Sequence, residues 1–161
     1  MACPFFMPTE KLENGAWPHA ARLPLGQGWS GQCAAPGHEG EIPSQNELHE
    51  FCNLGYAETC SRLPQERAWD SVRFGIRPVR NENQNEADTR PLSAAGPRIQ
   101  VRYICERAHR PVEHGLLEFD SIQSCWNSPH RDPRLQRLAD CFLAAYLEKK
   151  KNQEINRAAA S

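Results

Sequence analysis

The chain has 161 residues, a net charge of −1 at pH 7 and a hydrophobic fraction of 39%. That is enough for one domain with a core, and no apolar run approaches the ~18 residues of a membrane span. Charge is segregated: residues 1–60 sum to −5 and the remainder to +4, so nucleic acid should be repelled from the first part.

Thirteen prolines and ten glycines point to much irregular chain, and such chains often need a covalent or metal staple. The opening MACPFFMPTEK has no basic stretch followed by an apolar one, so no secretory signal is expected and a cytoplasmic location follows. In that compartment the seven cysteines should be mostly reduced, which favours metal binding or plain burial over disulfides.

Residues 1–43 carry no helical or strand period and six prolines. They read as an irregular, ordered wrap that buries Phe5, Phe6, Trp17, Leu23, Leu25 and Trp29. The string Gly26-x-Gly28-x-x-Gly31 matches a dinucleotide fingerprint, but Pro24 interrupts any preceding strand and no helix follows. It reads as a loop.

Ser44 and Glu47 form a capping box. Leu48, Phe51 and Leu54 follow at helical spacing, and Gly55 can take positive φ after the last turn. A short helix is expected over Ser44–Leu54, with Cys52 in its last turn and Tyr56–Thr59 bringing Cys60 back beside it.

Val72, Phe74 and Ile76 alternate with polar residues up to Pro78, a half-buried strand. Residues 79–97 read as a long mobile loop. A second strand is expected over Arg98–Glu106, with Ile99, Val101, Tyr103 and Cys105 on one face. A third should run from Val112 to Phe119, giving an antiparallel meander. Residues 120–131 read as a loop holding Cys125, to which no role is assigned, and Trp126. Asp132 and Pro133 start a helix whose stripe Leu135, Leu138, Phe142 and Tyr146 should cover the sheet, with the tail INRAAAS frayed.

The expected fold class is therefore α+β. Residues 1–67 form an irregular Cys/Pro-rich metal-binding segment with one short helix. Residues 68–161 form a three-stranded antiparallel sheet covered by a C-terminal helix, and the two make one compact unit.

Cys3, Cys33, Cys52 and Cys60 are the candidate ligands. Their gaps of 29, 18 and 7 residues are longer than the close pairs of structural zinc sites. An iron–sulfur cluster is larger and takes sulfurs from separated loops, so a [4Fe–4S]-type centre is the leading expectation. Cysteines spread through a proline-rich wrap resemble, in outline, the cluster-stapled segments of some nucleases and glycosylases. Those carry a short Cys-x-x-Cys pair that this chain lacks, so no activity follows from the resemblance.

Zinc is the alternative, since Cys33-x4-His38 and His49-x2-Cys52 offer a Cys2His2 set. The bland reading is four buried small hydrophobes. A cluster with a redox role would call for a protein partner with a basic patch; a structural one would not.

Arg73, Arg77, Arg98 and Arg102 should share one sheet face, either an anion site or a solvated face balanced by Glu106 and Glu113. His109, Glu113 and His114 could form an acid–base group, but are more simply polar turn and strand residues. Cys105 and Cys141 read as core. With no catalytic motif, the expected function is a metal-binding protein, structural or electron-transferring. The alternative is a zinc-stabilised interaction or anion-binding module.

Overall fold

The computed structural model describes residues 1–12, 17, 23–77 and 98–159. Strand β1 (Phe6–Lys11) pairs antiparallel with β2 (Trp29–Cys33), so the N-terminal half is not the irregular wrap that the sequence suggests. Two features hide this pairing. Pro8 sits inside β1, next to a shift in register between Pro8 and Glu10, which is where a sheet tolerates proline. Opposite it stands Gly31, where a Cβ would come within 2.2 Å of the Met7 carbonyl oxygen. Neither strand has a period long enough to be read alone.

A short helix, α1 (Gln45–Glu47), runs directly into a π turn over Leu48–Cys52. The capping box is present: Ser44 Oγ accepts from the Glu47 N–H, and the Glu47 carboxylate accepts from the Ser44 N–H. The Asn53 N–H donates to the Leu48 carbonyl, five residues back. Gly55 then takes φ +67°.

Strands β3 (Ser71–Arg77), β4 (Arg98–Arg107), β5 (Arg110–Asp120) and β6 (Cys125–Trp126) form one antiparallel sheet in that order. The sheet therefore has four strands, not three. Cys125 and Trp126, placed in a loop by their polar flanks, turn back to pair with Asp120 and Phe119. Trp126 is held there by its edge contact with Phe119 and by donating Nε1–H to Asp140, 2.7 Å away. The expected loop 79–97 lies outside the described residues.

Helix α2 spans Pro133–Ala159. Asp132 caps it by accepting from the Arg134 N–H. Its tail is helical to Ala159 rather than frayed from Ile155. Phe142 stacks on Phe74 of β3, while Arg137 donates to the Pro8 and Thr9 carbonyls and Lys11 pairs with Glu148. One core thus joins Phe6, Leu25 and Trp29 to Val72, Val101, Leu117, Leu135, Leu138 and Ala139. Among the described residues no helix is long and apolar enough to cross a membrane.

Cys105 and Cys141 are buried in this core. Burial pushes their thiols up, to about 12 and about 11, from an ordinary value of 9.0. The neutral thiol is the favoured folded form, so this contribution is complete below about pH 9 and is lost as pH rises through the folded value. Cys105→Val, which cannot ionise, should flatten the alkaline fall in stability. Urea denaturation at about pH 8 and about pH 10.5 measures it.

Candidate metal centre

Four segments bring their cysteines to one place. Ala2 pairs with Val72 through both backbone groups, N–H to O at 2.6 Å and O to N–H at 2.9 Å, which fixes the N-terminal stretch on the free edge of β3. Cys3 is thereby buried, and its N–H donates to the Cys52 carbonyl at 3.1 Å. Gly55 lets these backbones meet: a Cβ there would lie 2.8 Å from the Met1 carbonyl oxygen and 2.9 Å from that of Ala2.

Cys33 ends β2. Its N–H donates to Glu41 O, and its carbonyl accepts from the Gly40 N–H, so the intervening loop closes on itself. Gly37 and Gly40 both take positive φ in that loop. Cys52 ends the π turn, a helix irregularity frequent at functional sites. Cys60 follows a short turn whose Tyr56 is moored to the large sheet: its hydroxyl donates to Glu106 at 2.6 Å and its N–H to the Asp70 carbonyl.

Cys3, Cys33, Cys52 and Cys60 all line one pocket that opens to solvent. Its walls are Phe5, Phe6, Ala35, Pro43, Phe51, Ala57 and Leu63, with Arg62 the charged residue among them. The sulfurs are close enough to repel one another when ionised: Cys52 with the other three, Cys3 with Cys33 and Cys60, and Cys33 with Cys60. Burial pushes the Cys3 thiol up to about 12 and raises Cys33 and Cys52 as well. The Ala35 N–H donates to the Cys33 sulfur at 3.4 Å, and the Phe5 and Phe6 backbone N–H groups oppose the upward shift at Cys3. Such donors favour thiolate over thiol.

The histidines of the zinc alternative are engaged elsewhere. His38 Nδ1 faces Glu41 Oε1 at 3.0 Å, and His49 stacks on Trp17 with centroids 4.1 Å apart. Neither lines the cavity. Among the described residues no three His, Cys, Asp or Glu side chains are gathered as a single metal ion would require.

Of the other candidates, Cys105 and Cys141 are core and Cys125 is exposed beside Gln123. Strand register sends Glu113 and His114 to opposite faces of the sheet, so the acid–base group is not assembled. Glu113 therefore does not balance the arginine face; it meets Tyr103 and His130 on the inner side. Gly26 and Gly28 precede β2 and Gly31 lies within it, with no helix following, so no dinucleotide turn forms.

Two residues carry no signal in the sequence yet hold the site. Arg62 donates from Nε to Glu41 at 2.8 Å and from Nη1 to Glu47 at 2.5 Å, bridging the loop after Cys33 to the helix before Cys52. Asn53, 1% exposed, accepts from the Trp29 N–H and donates to the Trp29 and Leu48 carbonyls at 3.0–3.1 Å. Its amide is a bridge from β2 to the π turn.

Compared with protein-family models, curated proteins and solved structures, the chain matches none.

Asn53→Ala leaves one buried N–H and two carbonyls without that partner, and should cost about 3 kcal/mol in urea unfolding. Asn53→Asp keeps the acceptor but turns an oxygen on both carbonyls, and should be no better.

Proposed function

We propose that this chain is a cytoplasmic iron–sulfur protein in which Cys3, Cys33, Cys52 and Cys60 hold a [4Fe–4S]-type cluster. The observation that carries the proposal is the convergence of these four cysteines, far apart in sequence, on one cavity with apolar walls. The donor set fits the group: four sulfurs, no histidine or carboxylate at the wall among the described residues, and a backbone N–H donated to the Cys33 sulfur. Four cysteines separated by long gaps, with no close pair, suit a polynuclear centre better than one zinc ion.

A bound cluster supplies either a covalent tie or one-electron redox chemistry. The tie is favoured by where the ligands sit: they join the N-terminal stretch, the end of β2, the π turn and the Cys60 turn. A redox role is favoured by Cys33 and Cys60, which are partly exposed and give electrons a route to the surface. The acidic balance of residues 1–60 suits a protein redox partner with a basic patch. Because buried thiols must lose protons to ligate, loading should release protons and weaken as pH falls.

Anaerobically purified protein should be brown, with broad absorption near ~400 nm and iron by metal analysis. Cys52→Ser and Cys60→Ser should each lower both iron content and melting temperature. Retention of both properties by both variants would remove these residues from the ligand set. Arg62 places a fixed positive charge at the wall, which favours the electron-richer state. Arg62→Gln should therefore move the midpoint potential negative and Glu47→Gln should move it positive, although both break the same ion pair.

A further inference from the structure

Register sorts the side chains of β3, β4 and β5 into two sets. Arg73 pairs with Ile104, Gly75 with Arg102, and Arg77 with Gln100. Across β4, Arg98 pairs with Asp120, Gln100 with Glu118, Arg102 with Leu116, and Ile104 with His114. Directly paired residues share a face, so Arg73, Arg77, Arg98 and Arg102 stand together on the side turned away from α2. All four are exposed, as are His114 and Leu116.

Three carboxylates share this face and keep their charge, each held by its own partner. Glu106, 6% exposed, accepts from Tyr56 and pairs with Arg73 at 2.9 Å. Glu118 accepts from Gln100, and Asp120 from the backbone N–H groups of Ile122 and Gln123. Arg77, Arg98 and Arg102 have no carboxylate partner among the described residues. Between them, none of the described residues lies within 4 Å of where a Cβ would stand on Gly75.

We propose that the outer face of the β3–β4–β5 sheet binds the phosphodiester backbone of single-stranded nucleic acid. Arginine forks match phosphate oxygens. Residues two apart on a strand are ~6.7 Å apart and adjacent strands ~4.8 Å apart, so these guanidinium groups border one track across the sheet. A sheet face accepts an extended strand, and the long helix α2 packs on the opposite side, through Phe142 on Phe74, where it cannot enter a duplex groove presented here. Among the described residues the face carries no Phe, Tyr or Trp for base stacking, His114 being its one aromatic ring, so recognition is chiefly of the backbone, sequence-tolerant and strongly dependent on salt. The acidic residues 1–60 keep such a ligand off the cysteine site. This surface does not depend on whether metal is bound.

The test is fluorescence anisotropy with a labelled mixed-sequence single-stranded DNA, titrated over a range of salt. The full chain is compared with Arg77→Gln/Arg98→Gln/Arg102→Gln, and with Lys149→Gln/Lys150→Gln/Lys151→Gln, which removes equal charge from α2. Circular dichroism checks that each variant is folded. The arginine variant should bind at least about tenfold more weakly, with a log–log salt slope about two units smaller, and the lysine variant within about twofold of the parent. The proposal fails if the parent does not bind at low salt, or if both variants lose affinity equally. It also fails if the arginine variant binds like the parent, or if poly-glutamate competes as well as DNA charge for charge.

Discussion

The position of the N-terminal stretch is the constraint on which the cysteine site depends. Ala2 exchanges both backbone hydrogen bonds with Val72, and the next residue donates to Cys52. A segment that would otherwise fray is thus fastened at once to the large sheet and to the π turn. Phe5 and Phe6 then close over the cavity, and the Arg134 guanidinium lies 4.9 Å above the Phe5 ring, bringing the start of α2 into the same assembly. Every wall of the site comes from a different stretch of chain, so the site is a product of the tertiary structure and of no local motif.

That origin explains what could be read in advance. The capping box, the alternation of Val72, Phe74 and Ile76, and the Asp132–Pro133 start each concern residues within one or two turns of each other. Such local chemistry is visible in a string of letters. The pairing of β1 with β2 is different. It joins residues some two dozen apart, passes through Pro8, and depends on a glycine opposite that proline. Strand β6 is two residues long and exists because Trp126 finds Phe119 and Asp140.

The cysteines themselves could be singled out because thiols are few and chemically distinct. What surrounds them could not be foreseen. Arg62 and Asn53 look like ordinary polar residues until the fold places one on the cavity wall and buries the other between two backbones. His38 and His49 show the converse: spacing made them candidate ligands, and packing gave them Glu41 and Trp17 instead.

The margins of the large sheet carry a consequence of their own. An uncovered edge strand is a template on which other chains can add. Here β6 shields part of one margin. On the other, Ala2 occupies the Val72 position of β3, and Arg73 and Arg77 stand on the length that stays open. Lateral growth into a larger sheet, or into a fibril, is hindered on part of the β5 margin by β6, and on the β3 margin by the backbone paired at Ala2 and by the charge of Arg77. Loss of the Ala2 contact would therefore free an edge for aggregation as well as loosen a cysteine.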